Sequence, residues 1–501
     1  MKLYDILNCD KINNFKMIVI GYRNIDISNV SYTSKTVSKN CAFFALPGYI
    51  TNGAKYINEA INNGASVIIT TLKCDVSHVV QIIVKDIFCF MSVFCAKFYN
   101  YPDKKLNIIG VTGTNGKTTV TYMIESIFLN VGIECCVIGT INYRYKGKIL
   151  KAINTTPLSL DLYSIMRQIV DRGIKHLIME VSSHALRLNR VYGINFNIAI
   201  FTNLTSDHLD FHKNIKNYYK VKSTMFKGHK NMMDNKKYAI INFDDKYGKK
   251  LLCENINAKI KLYSIIANNV VDFLAKNIKI SNTYSKFNLV YGHKEIKIVL
   301  KNCIGLYNIS NALAASAAAI CSGIPLNKIA QGFDNLGQIP GRCEKISMEY
   351  LDFDIFVDYA HTKDALENVL YTLKEIKYKK IVTVFGCGGN RDKTKRPLMG
   401  KIATKMSDFV FITSDNSREE DPRKIILDIE IGIKKEHKKK YKVVVDREMA
   451  IKEAITMASK GDVVLIAGKG HETYQVIGRE YIYFSDISIV KKYVYLKYNK
   501  N

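Results

Sequence analysis

The segment Gly113-Thr114-Asn115-Gly116-Lys117-Thr118-Thr119 constrains this chain more than any other. It follows the apolar run 106–110 and leads into a helix-like stretch, 119–129. Small residues at such a turn let backbone N–H groups wrap a polyphosphate, and the helix N-terminus adds partial positive charge. Lys117 is then placed to reach the outer phosphates, and the Thr118 hydroxyl to ligate Mg²⁺. Val111 stands where the longer phosphate-loop pattern has its first glycine, which leaves the shorter GT-x-GKTT form. Strand, turn and helix in this order predict a nucleoside triphosphate site.

A chain of 501 residues, 48% hydrophobic, suggests a globular protein of about three domains. No run of about 18 uncharged apolar residues is present, so no membrane span is expected. The first residues, MKLYDILNCDKINNFK, have neither the apolar core nor the cleavage site of a secretory signal. Twelve cysteines occur without CxxC or zinc-like spacing, which suits reduced thiols and a cytoplasmic location. The net charge of +28 raises nucleic-acid binding as an alternative. The lysines are spread along the whole length, with no arginine-rich arm and no recognisable nucleic-acid motif, so no nucleic-acid partner is expected.

From 106 onward, β-branched runs alternate with amphipathic or alanine-rich stretches. Strands are predicted at 106–110, 176–181, 197–202 and 238–242, then at 380–385, 409–413, 442–445 and 463–467. Helices are predicted at 160–172, 215–226 and 308–321. The alternation implies an α/β protein with parallel sheets covered on both faces. Breaks at Tyr101-Pro102-Asp103 and Gln338-Ile339-Pro340-Gly341-Arg342 divide it into 1–103, 104–338 and 339–501.

Polar clusters fall at the carboxyl ends of the predicted strands, where open α/β sheets bind ligands. Glu180-Val181-Ser182-Ser183-His184 follows one strand; Thr202-Asn203-Leu204 and Asp207-His208-Leu209-Asp210-Phe211-His212 follow the next. A carboxylate and imidazoles beside a phosphate loop suit metal binding and the orientation of substrate oxygens. The glycines of Gly386-Cys387-Gly388-Gly389 lack a dinucleotide site's acidic partner, and Cys387 reads as a small loop residue rather than a nucleophile.

In these segments the chain resembles the ATP-dependent Mur ligases. GTNGKTT, Asn154-Thr155-Thr156-Pro157, TNLTSDHLDFH, Lys222, Asn308–Ala315, Pro340-Gly341-Arg342 and Val357-Asp358-Tyr359-Ala360-His361-Thr362 carry the likeness. So do Gly386–Asp392, Lys395-Arg396-Pro397, Asp415-Asn416-Ser417-Arg418 and Gly468-Lys469-Gly470-His471-Glu472-Thr473-Tyr474-Gln475. The later segments resemble members that add the third peptide residue, in the form that takes meso-diaminopimelate.

The resemblance implies three domains. These are a small N-terminal α/β domain for the uridine nucleotide, a central P-loop-type domain with a mostly parallel sheet for ATP, and a Rossmann-like C-terminal domain for the amino acid. It implies that UDP-N-acetylmuramoyl-L-alanyl-D-glutamate is activated by ATP as an acyl phosphate, which the amine of diaminopimelate attacks. Lys117, Glu180, His208 and Lys222 then carry the catalysis, and Thr118, Glu180, His208 and a carbamylated Lys222 hold Mg²⁺. Gly113 to Thr119, Asn311, Arg342 and Asp358 meet the nucleotide. Ser34, Thr155, Thr156, Ser182 and Arg190 meet the uridine-linked substrate, and Arg391, Asn416, Arg418, Gly468 and Glu472 the amino acid. A monomer is expected. The chain departs from the pattern at Lys35, where an arginine is usual, at Asn390, and at Ser417, which replaces a proline. A non-catalytic descendant, a folylpolyglutamate-type sister ligase and a nucleic-acid-stimulated ATPase are the competing readings.

Overall fold

Alternating β-branched and amphipathic stretches gather into three main sheets in this computed structural model, which describes residues 1–13, 15–48, 52–227, 234–349 and 351–498. The first has five strands between residues 17 and 84 and is parallel except for its edge strand Met17–Ile20. The second has eleven strands. Asn107–Thr112 lies at its centre, parallel to His176–Glu180 on one side and Ile198–Phe201 on the other. The third has six strands, and only Glu344–Lys345 at its edge runs antiparallel.

The predicted strands agree with the structure to within a few residues, and 238–242 and 463–467 have the predicted limits. The central sheet departs from uniform parallel pairing at both edges. Asn142–Tyr145 and Lys148–Lys151 form an antiparallel hairpin, and Phe273–Ile280, Tyr284–Tyr291 and Lys294–Lys301 form an antiparallel meander. Lys146 and Gly147 turn the hairpin with φ of 44° and 73°, the paired positive values that match strand twist in a two-residue turn. The helix predicted at 215–226 ends earlier, as Ile215–Ser223.

Packing shows where the sheets are joined. Helix Leu306–Cys321 is lined with buried alanines between 312 and 319, packs on helix Lys117–Asn130, and shares one core with Ile109 and Val111. On the opposite face, Tyr163 and Met166 of helix Ser159–Asp171 share one apolar core with Phe90 and Phe94 of helix Ile87–Phe98. The break at 101–103 is therefore a change of sheet within a continuous core. Beyond Gly341 two separate clusters cover the faces of the third sheet. There the fully buried Arg447 makes a two-point ion pair with Asp486, both contacts 2.8 Å, anchoring helix Asp486–Tyr498. All twelve cysteines are free, and no helix among the described residues is long and apolar enough to cross a membrane.

Candidate active site

Three adjacent parallel strands end side by side, so the loops leaving them converge. The loop after Asn107–Thr112 is braced by the segment after Ile198–Phe201. Thr114 N–H donates to Asn203 O at 2.9 Å, Asn115 N–H to Asn203 Oδ1 at 2.9 Å, and Thr202 Oγ1 to Asn115 O at 2.6 Å. Gly116 has φ of 87°, and a Cβ there would lie 2.4 Å from Asn311 Oδ1. Only glycine lets the loop turn this closely past Asn311 into helix Lys117–Asn130.

Lys117 folds back over the loop, its Nζ donating to Gly113 O at 3.0 Å and Thr114 O at 2.7 Å. Burial lowers its pKa from the ordinary lysine value and, with repulsion from Arg342, outweighs the opposing pull of Glu180 and Asp207. Thr118 Oγ1 donates to Glu180 Oε1 at 3.0 Å and accepts from Arg342 Nη2 at 2.9 Å. The contact joins the central domain to the segment that begins the third. Glu180 is 1% exposed and also accepts from the Thr140 N–H and hydroxyl, at 2.9 and 3.0 Å.

Lys222 is equally buried. Its Nζ donates to Gly113 O at 2.7 Å and lies 4.8 Å from the centre of the Tyr218 ring. Burial, reinforced by repulsion from Lys117, drives its pKa well below that of a free lysine. His208 takes a left-handed backbone, φ 55°, at the start of the short helix Leu209–His212. Its Nε2 is 3.4 Å from Asp207 Oδ2, and His361 Nε2, from the third sheet's side, is 3.9 Å from the same oxygen. Burial pushes His208 down to about 3 and His361 to about 4, so both imidazoles are neutral at pH 7. Burial opposes the charge of Asp207, but at the acid pH where it titrates the protonated His208 and His361, with Lys395 and Lys117, outweigh that and hold the carboxyl below its usual range.

On the third sheet, Asn416, Arg418, Gly468 and Glu472 come together. Asn416 Nδ2 donates to Glu472 Oε2 at 2.9 Å, and the buried Lys469 ammonium is 3.2 Å from that oxygen. Arg418 Nη1 donates to Gly389 O at 2.8 Å and to Asn416 O at 3.3 Å. Burial, then repulsion from Arg391, lowers the Arg418 pKa. Gly468 has φ of 116°, and a Cβ there would meet Asp415 Oδ2 at 2.8 Å. Asn390 adopts φ of 51°, a conformation asparagine tolerates better than most residues.

One cavity of about 1240 Å³ connects these groups. Thr114 to Thr119, Glu180, His208, Lys222, Asn311, Arg342 and Asp358 line it, as do Thr155, Ser182, Arg190 and the five residues expected to meet the amino acid. Three expected residues do not. Gly113 turns only its carbonyl toward the two lysines. Thr156 is fully buried, its hydroxyl donating to Glu180 O and accepting from Ser182 N–H. Ser34 begins the short turn Ser34–Thr36 of the N-terminal domain, outside the cavity. Asp358 lines the wall, but its oxygens accept from Cys343 N–H at 2.5 Å and Ala360 N–H at 2.7 Å. Sequence reasoning assigned no role to Thr140, Asp207, His361 or Lys469. The last three stand inside motifs already singled out, whereas Thr140 carries no local signal. Cys387 is buried against Met399 with its thiol pushed up to about 12, which suits a packing role.

Three family models match the chain in order: Mur ligase family, catalytic domain, over 26–88; Mur ligase middle domain, over 111–319; and Mur ligase, glutamate ligase domain, over 341–470. The chain is 44% identical to UDP-N-acetylmuramoyl-L-alanyl-D-glutamate–2,6-diaminopimelate ligase 1 of Clostridium acetobutylicum, covering 95% of this chain and 96% of that one. It is 42% identical to the ligase of the same name, without the numeral, of Clostridium tetani, covering 99% of each. A solved UDP-N-acetylmuramoyl-L-alanyl-D-glutamate–2,6-diaminopimelate ligase superposes with a TM-score of 0.68 at 30% identity over 100% of both chains. With models and relatives agreeing along the whole sequence, the chain belongs to the Mur ligase family.

Proposed function

We propose that this protein is an ATP-dependent ligase that joins meso-diaminopimelate to UDP-N-acetylmuramoyl-L-alanyl-D-glutamate. The observation that carries the reading is the single cavity running from the phosphate loop to the Arg391–Arg418 pair. Joining a carboxylate to an amine in water is uphill, so the carboxylate needs a leaving group. A substrate carboxylate oxygen attacks the γ-phosphorus of ATP, the bond to the β-phosphate oxygen breaks, and ADP leaves. The amine nitrogen then attacks the acyl carbon, the C–O bond to phosphate breaks, and the amine gives up its proton as the amide forms. Lys117 neutralises charge that builds on the transferred phosphoryl group. Arg342, which reaches Thr118 across the domain boundary, ties closure of the third domain to the loop.

The residues fit a small hard cation. Glu180 is a buried carboxylate whose Oε1 accepts from the Thr118 hydroxyl at 3.0 Å. Among the described residues no group of three or more His, Cys, Asp or Glu is placed to hold a metal ion by itself, so phosphate oxygens and water would have to complete the shell. Thr118 and Glu180 would hold one Mg²⁺, and His208 with a carbamylated Lys222 a second. Bound there, Mg²⁺ would supply positive charge against the phosphate oxygens. We assign the uridine nucleotide to 1–103, ATP to 104–338 and the amino acid to 339–501.

The test is incubation of purified protein with ATP, Mg²⁺, the UDP-linked dipeptide and either diaminopimelate or L-lysine, followed by mass analysis. Amide product with diaminopimelate is expected. No amide with either amino acid overturns the reading in favour of a non-catalytic nucleotide-binding protein.

Lys222 yields a second expectation. Its depressed pKa favours the neutral amine, the form that attacks CO₂, and carbamylation converts it from a cation repelled by Lys117 into an anionic metal ligand. Activity is expected to fall in CO₂-depleted buffer and to return with bicarbonate, while Lys222→Ala responds to neither change. A structure of an active preparation that shows only unmodified lysine refutes the modification.

A further inference from the structure

We propose that the hairpin of Tyr474–Ile477 and Glu480–Tyr483 is a clasp that sets the selectivity of the adjoining amino-acid pocket, with Gln475 as its positioning residue. The inference rests on the assignment of that pocket made above and adds a residue and an element to it.

The pocket's polar groups sit on a segment with little support of its own. Residues 414–418 leave the end of strand Phe409–Ile412 without regular structure, and Arg418 has a left-handed backbone, φ 52°. A non-glycine residue keeps that conformation only where its surroundings over-determine it. No proline lies between Pro397 and Pro422 to stiffen the chain from within.

The hairpin supplies the missing constraint from outside. Arg418 N–H donates to Val476 O at 3.0 Å, and Gly478 N–H donates to Arg418 O at 2.7 Å. Val476 N–H donates to Asn416 Oδ1 at 3.0 Å. The segment is thus paired as if it were a further strand, with Arg418 opposite Ile477. Gln475 closes the other end, its amide nitrogen donating to Ser414 Oγ at 3.1 Å and Asp415 O at 2.9 Å.

The hairpin is a separate two-stranded sheet, and Tyr481 and Tyr483 on its outer strand are 73% and 75% exposed. An isolated hairpin of this length is marginally stable in water. Its order and that of the Arg418 segment therefore depend on each other. Asn416 transmits the constraint inward, because the side chain held by Val476 also receives Lys469 Nζ at 3.1 Å and donates to Glu472 at 2.9 Å. When Gln475 lets go, Arg418, Asn416 and Glu472 lose their common alignment, while the phosphate loop on the other domain is untouched.

The experiment compares wild type with Gln475→Leu, which keeps the side chain's bulk and removes both donors. The KM for meso-diaminopimelate is expected to rise about tenfold. Selectivity over L-lysine should fall by a similar factor, while the KM values for ATP and for the UDP-linked substrate stay within about twofold. Unchanged diaminopimelate KM and selectivity overturn the clasp, and so does a uniform rise in all three KM values with a lowered Tm. Should wild type itself form no amide with diaminopimelate, the pocket assignment fails instead. Hydrogen exchange on wild type tests the clasp without a variant. In the presence of ADP and the UDP-linked substrate, adding meso-diaminopimelate should slow exchange at the Arg418 and Gly478 amides; unaltered exchange there also overturns it.

Discussion

Lys117→Ala is expected to lower kcat on the order of 10²-fold or more, the loss typical of removing one preorganised charge contact from a transition state. The structure shows why the loss falls on chemistry rather than on folding. Among the described residues, the Lys117 ammonium donates to the carbonyls of Gly113 and Thr114. Burial already lowers its pKa, so the folded chain holds the charged form less favourably than the unfolded chain does. At neutral pH, truncation relieves that penalty, and Tm is expected to hold or rise. Arriving phosphates reverse the balance by giving the buried cation its anion. The checks are single-turnover rates and thermal melts of both proteins. A variant with near-normal kcat and an unchanged melt shows that the loop is not the phosphoryl-transfer site.

The same loop shows what kind of structure a sequence makes legible. Gly116 and Lys117 act through backbone shape and one side chain, over a few consecutive residues, so the local pattern carries the geometry. The parallel strands were legible for a similar reason, since 238–242 and 463–467 are short β-branched runs fully contained between turns. The antiparallel edges of the central sheet were less so. Ser285, Phe287 and Leu289 alternate inward along Tyr284–Tyr291, but that run lies between other β-branched stretches and carries no crossover helix to mark it. Thr140 was illegible for a different reason. It serves Glu180 across the sheet, and nothing in its own neighbours reveals that a carboxylate will arrive there. Thr156 shows the converse. It stands beside Thr155 in the motif, yet its hydroxyl is spent on Glu180 O and Ser182 N–H, contacts that nothing in the local sequence reveals.

Arg418→Ala is expected to cost on the order of 10²-fold or more in kcat/KM for meso-diaminopimelate, as loss of one partner of a buried charge pair does. The rate with L-lysine should change little. The two amino acids differ by one carboxylate at the far end of the side chain, so discrimination requires a cation held there in a fixed pose. Arg418 is so held: Nη1 is spent on Gly389 O and Asn416 O, while Nε and Nη2 make no hydrogen bond among the described residues. That leaves one edge of the guanidinium free for two parallel N–H bonds to a carboxylate. Arg391 adds charge from the same cavity wall, and its repulsion of Arg418 would be relieved by a bound carboxylate. With lysine in the pocket the free edge of Arg418 stays desolvated and unpaired, a penalty that makes rejection strong. Glu472, the carboxylate proposed to meet the ammonium, is already paired with Lys469 at 3.2 Å. The ammonium therefore shares an occupied carboxylate, and the selective force comes from the arginine side. The measurement is kcat/KM for both amino acids with wild type and Arg418→Ala, each with ATP and the UDP-linked dipeptide saturating. If wild type prefers lysine, or if Arg418→Ala leaves the preference unaltered, the selectivity does not reside in this arginine.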